Sequence, residues 1–175
     1  SNTPFRKYKR WTHEGGVATP FIAHWPAGVG DPGGEWRRQP AHLPDVMSTI
    51  VDVAEATYPE RRNGNTIPTM EGVSLLPAFA GEQLDRERPI CLAHEGHRAI
   101  RVDRWKLVST GSKRDYGTED SWELYDMAVD RSETTDLSAE LPDKLEQLRI
   151  QWWEWAERTG VVPNGKGVKS VDDIS

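Results

Sequence analysis

The sequence predicts an α/β chain: a loop-rich first half holding a short strand and a helix, then a small antiparallel sheet packed by a C-terminal helix. Three observations point there. Apolar residues recur at helical spacing in only two places, residues 42–57 and 141–155. Between them, short alternating segments from Ile90 to Tyr125 carry the two-residue period of strands. Gly and Pro punctuate the first half heavily, which marks turns and loops.

Taken in order, residues 1–40 are loop with one apolar burst. Thr19-Pro20-Phe21-Ile22-Ala23-His24-Trp25-Pro26 is β-prone and bracketed by prolines, so it is expected as a buried strand. Residues 27–40 form an exposed loop. Leu43, Val46, Met47, Ile50, Val53 and Ala54 stand three and four apart and predict an amphipathic helix, with Pro44 in its first turn. Residues 58–70 are polar and turn-rich. Glu71 to Phe79 is a short packed stretch ended by Gly81. The charged run 82–88 reads as a linker.

Strands follow at Ile90–Ala93, Ala99–Val102, Trp105–Val108 and Trp122–Tyr125, with Asp103-Arg104 as a tight connection. Ser109 to Ser121 is a polar loop. The sheet is expected to have one covered face. Its cover is a helix whose stripe is Leu141, Leu145, Leu148, Trp152 and Trp155. Each such side chain contributes roughly 1.5–3 kcal/mol when buried. Pro142 suits the start and Gly160 the stop; residues 161–175 read as a tail.

Composition narrows the function. The chain has 175 residues, 29% of them charged, and a net charge of −6. No apolar run is long enough for a membrane span. A net-acidic chain without clustered bases gives no sign of nucleic-acid binding. Its single cysteine, Cys91, cannot form an internal disulfide. Cys91 lies among apolar neighbours and reads as a buried strand residue rather than a nucleophile. The start, Ser-Asn-Thr-Pro, is expected to be a cut through a longer chain. Eight Trp must serve core, subdomain contacts or a ligand surface, with Trp36 and Trp153 outside the expected core positions.

Two stretches carry chemistry. His94-Glu95-Gly96-His97 superficially resembles a zinc motif, but the histidines are three apart, Gly intervenes, and two ligands do not make a site. It can line a cleft or make structural hydrogen bonds. Lys7, Lys9 and Arg10 precede His13-Glu14-Gly15-Gly16. Basic residues beside a Gly pair suit an anion-binding loop, and equally a solvated basic loop.

Read whole, the motifs resemble the sulfatase family, arylsulfatase type, of the alkaline-phosphatase-like superfamily. Those motifs are Asn2 to Lys9, His13-Glu14-Gly15-Gly16, Thr19 to Pro26, and Glu71-Gly72-Val73-Ser74-Leu75. His94 to Arg101 with Trp105 to Val108 also fits, as does Trp122 to Asp126 with Asp130 to Glu133 and Asp136-Leu137. His97 stands where Asn is usual. The resemblance runs from about residue 1 to residue 160. It implies the C-terminal part of an alkaline-phosphatase-like sulfatase fold. On this division residues 1–81 end the large α/β domain, 82–88 link, 89–160 form the antiparallel subdomain, and 161–175 are tail.

The resemblance further implies hydrolysis of sulfate esters, aryl or carbohydrate, with formylglycine and calcium. Formylglycine arises from Cys or Ser in Cys/Ser-x-Pro-x-Arg. Cys91, followed by Leu92-Ala93-His94, is not that residue. The calcium ligands belong to earlier segments, so a missing N-terminal sulfatase segment is the expected partner, and this chain alone is expected to be inactive. In the family, a Lys five positions before the Glu of "EGG" contacts sulfate; here that is Lys9. His13 and His94 are further substrate-binding candidates. A periplasmic or secreted location follows from family habit. The competing readings are a non-catalytic carbohydrate-binding or interaction module, and a phosphatase or phosphonate hydrolase relative.

Overall fold

A computed structural model describes residues 2–29, 34–111 and 121–161. The chain divides into two compact units. The first joins residues 1–19 to residues 89–175, and the second spans residues 20–88. The N-terminal loop therefore groups with the antiparallel sheet, not with the helix that follows it in sequence. The tail from residue 162 onward lies outside the described residues.

In the first unit, a one-turn helix α1 (Glu14–Val17) follows the N-terminal loop. The four-stranded sheet comprises β3 (Ile90–His94), β4 (His97–Val102), β5 (Trp105–Thr110) and β6 (Trp122–Asp126), all antiparallel in chain order. All four strands stand where the alternation places them. Strand β4 starts two residues earlier than expected, because Glu95 and Gly96, both at positive φ, close a two-residue turn and pair His94 with His97. Asp103 at positive φ turns β4 into β5. Strand β5 runs on to Thr110; the loop expected beyond it falls mostly on residues 112–120, outside the described residues.

Helix α4 (Pro142–Arg158) covers one face. Leu148, Trp152 and Ala156 are fully buried against Cys91, Ile100, Leu107 and Leu124. The Trp152 indole donates to the Leu92 carbonyl at 3.1 Å, and Trp122, Trp153 and Trp155 pack around it. Arg98 is buried among Trp122, Trp152 and Trp153, each within 5.5 Å of its guanidinium. Trp153 thus belongs to the core.

The opposite face is covered as well, which corrects the expectation of a single covered face. Ala99, Val108, Tyr125 and Met127 form a second buried cluster there. Lys106 and Glu123 alternate onto this side. Both read as solvated in sequence, but the N-terminal loop supplies them with partners.

The second unit carries α2 (Leu43–Val53), a small hairpin of β1 (Arg61–Arg62) with β2 (Asn65–Thr66), and a short helix α3 (Leu76–Phe79). The hairpin turn is Asn63-Gly64, both at positive φ. Helix α2 stops before Ala56 because Glu55 takes the left-handed conformation. Its orientation differs from what its pattern suggests. The buried residues are Asp45, Ser48 and Thr49, while Leu43 (81% exposed), Met47, Ile50 (59%) and Val53 face outward.

Asp45 explains this. Its carboxylate accepts from the His42 and Val73 backbone N–H groups at 2.6 and 2.9 Å and pairs with Arg86 at 2.6 Å. Burial pushes its pKa up, but these donors outweigh that and hold it below the usual carboxylate value. Thr49 accepts from the Leu75 N–H and donates to the Asp45 carbonyl. Residues 82–88 are folded onto this unit rather than free: Arg86 holds Asp45, and Gln39 bonds the backbone at Glu82 and Leu84. The strand expected at 20–25 is not formed; those residues are exposed and pair with no strand among the described residues. A strand is held by ladder partners, whatever its propensity.

Candidate functional site

Residues 2–17 form a loop closed on itself. The Gly15 N–H donates to the Arg6 carbonyl at 2.9 Å, and Asn2 Nδ2 donates to the Gly15 carbonyl at 2.8 Å. A Cβ at Gly15 or Gly16 would collide with the backbone oxygens of Arg6, Lys7 and Trp11, so only glycine permits this closure. Within it, the Trp11 N–H donates to the Tyr8 carbonyl at 2.9 Å, a turn with Lys9 and Arg10 at its corner.

The five residues after Lys9 each anchor to the sheet. Arg10 pairs with Glu95 at 2.8 Å across a half-exposed contact. The Trp11 ring lies 4.3 Å from the His97 ring. Thr12 Oγ1 donates to the Arg98 carbonyl at 2.9 Å. His13 Nε2 meets Glu123 Oε2 at 2.9 Å. The Glu14 carboxylate takes Lys106 Nζ at 2.9 Å and Arg131 at 3.2 Å, while its N–H donates to Glu133 Oε2 at 2.8 Å.

The electrostatics beneath the loop are a closed network. Lys106 is buried and pairs with both Glu14 and Glu133, the latter at 2.8 Å. Burial pushes the Glu14 pKa up, but Lys106 and Arg131 hold it below the ordinary value. Glu123 is likewise lowered, its burial outweighed by hydrogen bonds from Tyr125 and His13. Tyr125 donates to Glu123 at 2.7 Å and accepts from Arg6 at 2.6 Å; burial and the neighbouring carboxylate hold its hydroxyl protonated. Desolvation lowers the His13 pKa more than Glu123 raises it, so the ring is held neutral. A carboxylate can only accept, so His13 donates from Nε2.

Among the residues proposed from sequence, Lys9 is exposed at the corner of the turn. His94 is exposed at the end of β3. His13 is fully enclosed with Nε2 engaged by Glu123, so it packs here rather than facing solvent. Cys91 is buried in the sheet core. The reading missed Lys106, Glu123, Glu133 and Arg131. Glu14 followed by Gly-Gly marked one end of their network, but no local signal connects it to Lys106, 92 residues later. The described residues contain no group of three or more His, Cys, Asp or Glu that could hold a metal ion. No helix among them is long and apolar enough to cross a membrane.

Residues 5–154 match the family model described as N-sulphoglucosamine sulphohydrolase, C-terminal. The chain is 33% identical to an N-acetylgalactosamine-6-sulfatase of Canis lupus familiaris over 132 residues, covering 74% of this chain and 22% of the relative. It is 26% identical to an uncharacterized sulfatase of Schizosaccharomyces pombe, covering 93% of this chain and 29% of that one. The crystal structure of Ps i-CgsB superposes with a TM-score of 0.70 at 26% identity, over 90% of this chain and 33% of the other. The same protein solved with k-i-k-neocarrahexaose gives 0.72 at 23% identity, over 99% and 36%, a likeness of fold. The chain spans less than a third of the length of these curated relatives.

Proposed function

The chain belongs to the sulfatase family, matching its C-terminal part, and we propose that the whole protein hydrolyses sulfate esters with Lys9 in contact with the sulfate. The supporting observation is the loop. Lys9 is exposed while the next five side chains are each tied to the sheet. Cleavage of a sulfate ester builds negative charge on the sulfate and leaving oxygens. An ammonium held in place stabilises that charge without reorganising at the moment of reaction.

Formylglycine and calcium belong, on this reading, to segments outside these residues; Cys91 is buried and lacks the required Pro and Arg after it. Their chemistry is nucleophilic attack and charge neutralisation at the sulfate. This chain's contribution is Lys9 and part of the pocket wall, with His94 a second exposed candidate. The relative named N-acetylgalactosamine-6-sulfatase supports a sulfated carbohydrate as substrate.

The domain reading follows. We assign residues 1–81 to the end of a larger α/β domain, whose remainder covers the outward apolar face of α2.

The test is Lys9→Ala in the full-length protein, assayed on an aryl sulfate. Turnover is expected to fall by about 10²-fold, the loss on removing one transition-state stabiliser. Unchanged kinetics would remove Lys9 from the sulfate. The 175-residue chain alone is expected to turn over nothing.

A further inference from the structure

Resting on the reading of Lys9 as the sulfate contact, we propose that His97 is a positioning residue for Lys9, acting through Trp11. Lys9 has a long, flexible side chain, so its aim depends on the turn that carries it. That turn closes on the Trp11 N–H, donated to the Tyr8 carbonyl at 2.9 Å. Whatever fixes Trp11 therefore fixes the corner at Lys9.

Two groups fix the Trp11 ring. His97 lies 4.3 Å away between ring centroids at 34°, and Lys7 Nζ sits 4.6 Å from the indole centroid. The indole quadrupole attracts a cation over its face and accepts a tilted ring against it. Lys7 itself is in the left-handed conformation. Two lysines of one basic run thus have different work: Lys7 is bound to the indole, and Lys9 is left facing solvent.

His97 is suited to anchor this arrangement. It is 95% buried at the start of β4, one residue past the Glu95-Gly96 turn, and paired in register with His94 and Thr110. Its Nδ1 is buried and has no hydrogen-bond partner. Burial and the nearby Arg10 disfavour its charged form, which leaves a flat neutral ring against the indole. The other handle on the turn, Arg10 to Glu95, is half-exposed and open to screening. The buried ring contact is the firmer one.

A double-mutant cycle in the full-length protein decides it, using kcat and KM on an aryl sulfate. His97→Ala is expected to lower kcat by about 10-fold or more, the scale of a misplaced reactive group, with KM changed far less. In a Lys9→Ala background the same substitution is expected to change kcat less than about twofold, because the group it positions is gone. Trp11→Leu is expected to show the same coupling and serves if His97→Ala does not fold. An equal loss with and without Lys9 would make His97 a structural residue and overturn the proposal. A collapse in Lys9→Ala with no effect of His97→Ala or Trp11→Leu would overturn it while leaving the sulfate reading intact. An inert Lys9→Ala would remove that reading and this proposal together.

Discussion

The long helices of the two units bury opposite kinds of side chain: Leu148, Trp152 and Ala156 on α4, Asp45, Ser48 and Thr49 on α2. In the unit built on the antiparallel sheet, Trp152, Ile100, Leu107, Leu124 and Leu148 are enclosed; on the second face Glu123 meets His13 and Arg6, and Lys106 meets Glu14 and Glu133. In the unit spanning residues 20–88, the enclosed side chains of α2 are Asp45, Ser48 and Thr49, while its apolar stripe faces out together with Phe21, Ile22 and Trp36. The first unit covers apolar residues on both faces of its sheet. The second satisfies its polar groups and leaves apolar area uncovered, which is the signature of a surface that packs against something else. A helix capped by the buried Asp45 carboxylate, itself paired with Arg86, can hold its shape before its apolar face is covered.

Substitutions can break this contrast. The largest effect is expected at Trp152→Ala in the sheet unit, a loss of about 4 kcal/mol from transfer and cavity terms together, read from urea unfolding of the 175-residue chain. A loss under about 1 kcal/mol would mean that α4 is not the principal cover of the sheet. On α2, Met47→Glu with Ile50→Glu is expected to leave the isolated chain within about 0.5 kcal/mol, since both side chains already face water. In the full-length protein the same pair is expected to be severely destabilising by thermal unfolding. Equal, small effects in both settings would sink the idea that a larger domain covers this face.

The smallest effect sharpens the electrostatic side. The folded pKa of His13 is lowered by burial, so the unfolded chain takes up the proton first. Stability from the neutral ring is present above the ordinary histidine value, near pH 6.5, and is lost as pH falls below it. His13→Gln is expected to flatten part of the stability loss between about pH 6.5 and 5; His97 and His42, also lowered by burial, keep the rest. An unchanged slope would show that His13 takes up its proton equally in the folded and unfolded chain.

Legibility in the sequence followed the range of the interactions. The strands of the sheet and the stripe of α4 were readable because side-chain period is a property of local backbone geometry. Residues 20–25 had the composition of a strand but no ladder partner among the described residues, and composition alone does not hold a strand. The Asn63-Gly64 turn was readable and unread: this dipeptide is itself a hairpin signal. Of the candidate site, the Lys9 to Gly16 loop and the His94 to His97 turn stood out by motif, whereas the pairing of Glu14 with Lys106 and of His13 with Glu123 did not.

By itself, the sequence determined the order of the four sheet strands, that α4 is a covering helix, that Cys91 is a packed residue, and that Lys9 stands in a basic loop before a Gly pair. Only the tertiary structure decided which face of α2 is buried, that both faces of the sheet are covered, and that His97, Arg98, Glu123 and Lys106 hold the loop from Arg10 to Glu14. The reason is physical. Periodicity records what neighbours along the chain share, so it marks an apolar stripe without saying whether the chain itself covers it. Charge pairing between Glu14 and Lys106, 92 residues apart, leaves no local trace: each reads as an ordinary solvated residue until the fold brings both out of water.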